Sequence, residues 1–136
     1  MIDARSSAGA LGPMQLMPAT ARQVARSLGA GRPSAAQVLE PKLNIQLGSR
    51  YLADLHRRYE DHPVLATAAY NAGPGNVARW LPSRGTVPAE VWIERIPFKE
   101  TRGYVRRVLA YQAIYRYRLQ QGEERMSRWM PPVSGG

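Results

Sequence analysis

The sequence contains no cysteine, and this absence excludes disulfide bonds, thiol catalysis and zinc sites built on thiolates. Long apolar runs are missing too, since no stretch approaches the ~18 apolar residues of a membrane span. The N-terminus lacks the basic segment followed by apolar residues that marks a signal peptide. Lysine is scarce: Lys42 and Lys99 are the only two among nineteen basic residues, so the positive charge is carried almost entirely by arginine.

Length and composition predict one folded domain. A chain of 136 residues buries about two-thirds of its unfolded surface, and 44% apolar residues with 21% charged residues are too hydrophobic for a disordered chain. The net charge of +9 favours anionic partners, among which nucleic acid, acidic lipid headgroups and the peptide carboxylates of cell-wall glycan stay open. We expect the domain to cover residues 1–122, with a polar, flexible tail over 123–136.

Proline and glycine divide the chain into helices, and no sustained alternation typical of strands is present. The sequence therefore predicts an all-α fold. Helices are expected at 18–28, 41–61, 63–72, 77–80, 89–93 and 101–121, with 30–40 as a linker. In the last helix, Tyr104, Val108, Tyr111 and Tyr115 recur at i, i+4, i+7 and i+11, which predicts a core-facing stripe with the arginines of that helix on a solvated face.

Two polar residues end the most apolar helix. Tyr70 and Asn71 follow a nearly continuous apolar run and precede Gly73-Pro74-Gly75, a position from which side chains can face a cleft with fixed geometry. The alternative is a structural role, in which Asn71 caps the helix by bonding backbone groups and Tyr70 packs in the core. The residues by themselves favour this alternative.

Other candidates for ligand binding precede the first helix. Gln15 offers an amide donor and a carbonyl acceptor, and the apolar Met17 lies two positions further along the same segment. Taken alone, Gln15 is more typical of a solvated loop and Met17 of a core filler. Ser6 is the weakest candidate, because Ser6-Ser7 is also typical of an ordinary turn.

The remaining charged and titratable residues have simple structural interpretations. Glu100 lies near a predicted helix start, where a carboxylate stabilises the helix dipole. His56 and His62 are six positions apart, which is not a metal-ligand spacing, and we expect both on the surface. The sequence therefore predicts no metal site.

Three short blocks in a fixed order carry a resemblance to a known family. The blocks are Gly12-Pro13-Met14-Gln15, Ala69-Tyr70-Asn71-Ala72-Gly73 and Glu100-Thr101-Arg102-Gly103-Tyr104-Val105. Together they resemble the lytic transglycosylase (SLT) domain, and most of all that of the soluble lytic murein transglycosylases. The resemblance implies a lysozyme-like helical fold that cuts the glycan strands of peptidoglycan with a single catalytic glutamate.

In that family the glutamate opens a Glu-Ser-x-aromatic stretch, and residues 3–10 resemble the sequence that follows it. By this register the acid lies about four positions before Met1. We therefore expect the fold to lack the N-terminal helix that carries the acid, and this chain to be inactive or impaired as given. Asp3 and Glu100 are the nearest substitutes, Asp3 in sequence and Glu100 in the expected cleft.

The resemblance also implies roles for individual residues. Those that match the family's substrate-binding groove are Ser6, Gln15, Met17, Tyr70 and Asn71. Tyr70 further matches the tyrosine beside the catalytic acid, and Glu100 matches a carboxylate that supports the site. Pro13 stands where the family more often has an aliphatic residue, so we expect a slightly different loop path, because proline fixes φ and removes an N–H.

The implied reaction uses no metal and no cofactor. The glutamate protonates the glycosidic oxygen between N-acetylmuramic acid and N-acetylglucosamine and then draws a proton from the muramyl C6 hydroxyl, which closes a 1,6-anhydro ring. Peptidoglycan strands are the expected partner, without nucleic acid or a membrane span, in the periplasm or outside the cell. Two rival classes remain: a non-catalytic module that binds peptidoglycan or chitooligosaccharide, and a basic helical nucleic-acid binder with steeply salt-dependent binding.

Overall fold

Helices dominate the computed structural model, which describes residues 9–118 and 130–135. In chain order the elements are α1 (Pro18–Ser27), α2 (Ala35–Leu39), α3 (Pro41–Arg58), α4 (Pro63–Ala72), α5 (Pro74–Trp80), β1 (Thr86–Val87), α6 (Ala89–Glu94), α7 (Lys99–Arg118) and β2 (Val133–Ser134). The chain divides into an N-terminal unit that ends at Asp54 and a C-terminal unit that begins at Leu55. The mostly helical architecture confirms the predicted fold class. Within the described ranges, no helix has the length and apolarity needed to cross a bilayer.

Helix α1 forms as its sequence predicts. Pro18 occupies the first turn, where its missing N–H costs nothing. Ala21, Val24 and Ala25 are buried at i, i+3 and i+4, which places one face of the helix against the core of the N-terminal unit. Leu28 follows the last helical residue and is 36% exposed, so the buried face ends one turn earlier than expected.

The expected linker at 30–40 contains a helix, α2, so that prediction was wrong. Ser34 caps the helix: its hydroxyl accepts a hydrogen bond from the Gln37 backbone N–H at 3.2 Å, and the Gln37 side chain accepts one from the Ser34 N–H at 2.8 Å. This reciprocal pair satisfies two N–H groups that the first turn otherwise leaves unbonded. Val38 is the buried residue of this short helix.

Helix α4 is the centre of the C-terminal unit. Every residue from Val64 to Ala69 is buried, and the helix packs against α5 and α7. The small side chains of this stretch allow neighbouring helices to approach, and each fully buried Val or Leu contributes about 1.5–3 kcal/mol. The prediction of a helix that is buried on nearly all sides is confirmed, with the predicted bounds of 63–72.

The predicted tyrosine stripe of α7 was wrong. The buried residues of this helix are Thr101, Val105 and Leu109, while Tyr111 is 70% and Tyr115 is 64% exposed. Only the first half of α7 therefore faces the core of its unit, against α4 and α6. The helix begins at Lys99, and residues 119–121 of the prediction lie outside the described residues.

Residues 131–134 differ from the expected frayed tail. Val133 is fully buried and Ser134 lies opposite Thr86 in an antiparallel pair of two-residue strands, β1 and β2. Because β1 and β2 lie 45 or more residues apart in sequence, no local pattern indicates this pairing. The boundary at residue 122 stays a prediction.

His62 ties the start of α4 to residues 131–132, so its expected surface position needs correction. Its Nδ1 accepts a hydrogen bond from the Leu65 backbone N–H at 3.3 Å, and its Nε2 donates to the Pro132 carbonyl at 3.2 Å. Both bonds require the neutral ring with its proton on Nε2. Burial lowers the pKa of His62, and the hydrogen bonds to carbonyl oxygens only partly oppose this effect.

This geometry predicts lower stability in mild acid. Because the pKa of His62 is lower in the folded than in the unfolded state, its contribution is complete above about pH 6.5 and is lost as pH falls towards the folded pKa. Loss of an N-cap acceptor costs on the order of 1 kcal/mol, or a few degrees in Tm. Thermal melts at pH 7.5 and pH 5 test this. The uncharged cap of His62→Asn should flatten the difference, and an equal slope in both proteins would contradict it.

Candidate functional site

The loop that carries Gln15 is a small closed hairpin in the N-terminal unit. Leu11 and Leu16 exchange backbone hydrogen bonds of 2.7 and 2.9 Å, and both side chains are buried. Inside this bridge, the Gln15 N–H donates to the Gly12 carbonyl at 3.0 Å. The two leucines therefore anchor the loop while the residues between them form a tight turn.

Helix α3 holds the loop from below through Asn44, which is completely buried. Its Oδ1 accepts a hydrogen bond from the Met14 N–H at 2.7 Å, and its Nδ2 donates to the Leu11 and Val38 carbonyls, each at 2.8 Å. The side chain thus joins the loop to the end of α2. A buried amide with these partners is fully compensated for its loss of water.

One turn further along α3, Gly48 lets the loop approach the helix backbone. A Cβ atom at this position would lie 2.5 Å from Met14 Cβ and 2.6 Å from Met14 Cγ, well inside contact distance. The absence of a side chain at Gly48 is therefore a packing requirement of the loop.

Gly48→Ala is expected to destabilise the protein by about 1–2 kcal/mol, because the overlap with Met14 outweighs the gain in helix propensity. Urea unfolding measures the change. Gly103→Ala in α7 is the matched control: its Cβ would meet only the flexible end of Arg107, so it should be neutral or stabilising. Equal effects from the two substitutions would contradict this packing.

The sequence-predicted residues of the N-terminal unit lie on the outside of this loop. Gln15 is exposed, adopts a positive φ of 49° and donates its amide to the Gly12 carbonyl at 2.9 Å. Met17 precedes α1 and is 41% exposed, which excludes the alternative of a core filler. Ser6 and Asp3 lie outside the described residues.

In the C-terminal unit, the structure joins the end of α4 to the start of α7. The Thr101 hydroxyl donates a hydrogen bond of 2.6 Å to Asn71 Oδ1, and Thr101 itself is 1% exposed. Asn71 therefore bonds a side chain of another helix, which differs from the alternative of a backbone cap. Tyr70 is half-buried beside it in the last turn of α4.

Glu100 is exposed in the first turn of α7, where a carboxylate stabilises the helix dipole as expected. It precedes Thr101, so the chain places it next to the α4–α7 hydrogen bond. The segment before α7 is secured by Arg102, which donates to the Ile96 carbonyl at 2.9 Å, and by edge-to-face packing of Phe98 on Trp80 at 4.9 Å.

Asn44 and Thr101 were not singled out from the sequence as site residues. Asn44 had an available signal, since it lies one turn before Gly48 on the apolar side of a predicted helix, where asparagine requires a partner. Thr101 lies in the third block that carries the resemblance, but no sequence signal pairs it with Asn71, because threonine at a helix start is ordinary and its partner is 30 residues away.

The sequence matches the family described as the transglycosylase SLT domain over residues 2–93, more than half of the chain. The chain belongs to this family. Residues 95–124 match a second family, described as the soluble lytic transglycosylase helical domain. A curated relative, the soluble lytic murein transglycosylase of Escherichia coli K12, is 45% identical over 115 residues, which are 83% of this chain and 18% of the relative.

Solved structures agree with this assignment for the fold of the SLT domain. An inactive glutamate-to-glutamine mutant of lytic transglycosylase Slt from Pseudomonas aeruginosa matches with a TM-score of 0.76 at 48% identity, over 89% of this chain and 20% of that one. A 70-kDa soluble lytic transglycosylase in complex with bulgecin A matches with a TM-score of 0.75 at 36% identity, over 92% and 21%. The lysozyme-like fold is thereby confirmed, and this chain spans about a fifth of each relative.

A separate groove of about 240 Å³ lies between α6 and α7. Ile93, Leu109 and Met130 form its apolar part, and an ion pair between Glu94 and Arg106 lies at the polar part. None of the residues predicted for the site lines this groove, so it is not the groove that the sequence predicts.

Proposed function

We propose that this chain is the glycan-binding part of a lytic transglycosylase that cleaves peptidoglycan between N-acetylmuramic acid and N-acetylglucosamine and leaves a 1,6-anhydro end. The observation that carries the proposal is the SLT family match over residues 2–93. It is supported by the loop that carries Gln15 and by the end of α4 that carries Tyr70 and Asn71. Both segments hold these polar residues on a fixed backbone. Periplasmic or extracellular action follows from this substrate.

Each unit carries its own proposed sugar contacts. In the N-terminal unit, Gln15 recognises sugar hydroxyl or acetamido groups and the exposed Met17 covers an apolar sugar face. In the C-terminal unit, Tyr70 and Asn71 bind the sugar chain, and Glu100 supports the site. Ser6 is a further proposed contact. The exposure of Gln15 and Met17 and the fixed amide of Asn71 are what such roles require.

The proposed chemistry requires one carboxyl group that acts first as acid and then as base. No glutamate of the printed sequence is followed by serine, so the Glu-Ser-x-aromatic stretch of the family is not among the 136 residues. We therefore assign glycan binding to the 136-residue polypeptide and cleavage to a polypeptide that also carries that stretch. The net charge of +9 suits the carboxylates of peptidoglycan peptides.

Co-sedimentation with purified peptidoglycan tests the binding part. The 136-residue polypeptide should sediment with the glycan and be displaced by bulgecin A, the ligand of the relative described above. Double-stranded DNA serves as the competing polyanion and should not displace it. Binding to DNA that falls steeply with salt, without binding to glycan, would instead establish the nucleic-acid alternative.

A further inference from the structure

The side-chain amide of Asn44 forms its hydrogen bonds with backbone groups in and beside the Gln15 loop. It is fully buried on α3, and its three bonds end at the Met14 N–H, the Leu11 carbonyl and the Val38 carbonyl. An apolar residue of similar size would fill the same space without needing any partner. The amide therefore fixes the loop in one orientation, since each donor and acceptor fits only that backbone arrangement.

The loop is shaped to receive this amide. Gly12 has a φ of +74°, a conformation that favours glycine, and a Cβ atom there would overlap the Asn44 amide. The missing side chain of Gly12 thus provides the space that Asn44 fills. Gly12 and Asn44 therefore pack tightly against each other at the start of the loop, which the Asn44 hydrogen bonds to Leu11 and Met14 close.

The exposed side chains of the loop depend on the packing of Gly12 against Asn44 and on the Asn44 hydrogen bonds. Gln15 directly follows the N–H that Asn44 holds, and its positive φ of 49° is a strained conformation for a residue other than glycine. Such a conformation persists only where surrounding contacts hold the backbone in place. The Asn44 hydrogen bonds hold the backbone next to Gln15. Met17 follows Leu16, the second anchor of the same hairpin.

We propose that Asn44 is a positioning residue of the glycan site: it sets the loop conformation from which Gln15 and Met17 contact the sugar. The inference rests on the proposed function for the identity of the ligand. Asn44 itself is buried beneath the loop and touches no substrate.

Asn44→Asp tests this role with almost no change in volume. Its carboxylate faces the Leu11 and Val38 carbonyls and repels both. With chitotetraose as the probe, isothermal titration at a temperature where circular dichroism shows a folded protein should give an affinity about tenfold lower than wild type. Asn44→Ala, which removes the bonds without adding charge, is the second variant. Gln46→Glu, the same chemical change at an exposed site on α3, should leave the affinity unchanged.

A double-mutant cycle distinguishes positioning from general destabilisation. If Asn44 acts through Gln15, then Gln15→Ala lowers affinity in the wild type and has little further effect in the Asn44 variants. Additive losses, or wild-type affinity in both Asn44 variants, would overturn the positioning role.

Amide hydrogen exchange at Met14 and Leu16 provides a readout that needs no ligand. Exchange should accelerate about tenfold or more in the Asn44 variants and stay unchanged in Gln46→Glu. Should the wild type bind no glycan, the proposed function fails and this measurement alone decides whether Asn44 holds the loop: unchanged exchange overturns it, and faster exchange supports it.

Discussion

Extending this polypeptide upstream with the family's Glu-Ser-x-aromatic stretch should raise its release of soluble fragments from peptidoglycan by about 10²–10⁴-fold, the usual contribution of a positioned general acid. The expected increase is large because the proposed reaction uses a single carboxyl group for both proton transfers. The rate of fragment release from purified peptidoglycan, measured for the two polypeptides at equal concentration, gives the ratio directly.

The matched control changes the added glutamate to glutamine within the extended polypeptide. This variant keeps the added length and the glycan contacts, so it should return to the low rate of the 136-residue polypeptide. Rates within about tenfold of each other for the short and extended polypeptides would contradict the prediction and assign the acid to a residue of the printed sequence.

Glu100 is the described carboxylate that such a result would implicate first. It is exposed in the first turn of α7, whereas a general acid must lie in an apolar pocket within hydrogen-bond reach of the glycosidic oxygen. Glu100→Gln in the extended polypeptide should therefore reduce the rate less than replacement of the added glutamate.

Thr101→Val should lower the affinity for chitotetraose by about tenfold while the protein stays folded. The substitution keeps the volume of a residue that is 1% exposed but removes the hydroxyl that donates to Asn71 Oδ1 at 2.6 Å. Without this bond the Asn71 amide can rotate, so the donor and acceptor presented to the sugar are no longer fixed. The substitution leaves Asn71 Oδ1 without this donor. An unpaired acceptor of this kind costs about 1–3 kcal/mol of folding free energy, which also lowers Tm.

Thr67→Val is the matched control for this prediction. Thr67 is 6% exposed on α4, one turn before Asn71, and its substitution removes a hydroxyl from the same region while the Thr101–Asn71 bond stays. Affinity should therefore separate the two variants even if their melting temperatures are similar. Equal affinity for wild type and Thr101→Val would remove Thr101 from any part in ligand binding.

The sequence predicted those helices whose starts and buried faces are encoded locally. Pro18, Pro41 and Pro63 each occupy the first turn of a helix, as predicted. Helix α2 was also encoded locally, by the capping residues Ser34 and Gln37, but its five residues are too few for an apolar period to emerge.

Features that depend on distant partners could not be predicted in this way. The spacing of Tyr111 and Tyr115 fits a buried stripe, yet which face of α7 is covered depends on α4 and α6, whose packing no local pattern records. The same holds for Val133, which is buried and pairs with the distant Val87.

In the candidate site, too, local motifs were found from the sequence and residues with distant partners were missed. Residue types that meet a ligand, such as Gln15 and Asn71, were found from motifs, and their roles stay predictions. The residues that hold them, Asn44 and Thr101, were missed because each acts through a partner about 30 residues away in sequence. Support of this kind becomes visible only when the loop and the helix ends are placed in three dimensions.

Mass spectrometry of the muropeptides released by the extended polypeptide tests the central claim most directly. A lytic transglycosylase closes a 1,6-anhydro ring, so its products should be lighter by one water than those of a hydrolase, and the glutamine variant of the added glutamate should release none. Products with an ordinary reducing end would contradict the account and show that the same fold performs hydrolysis.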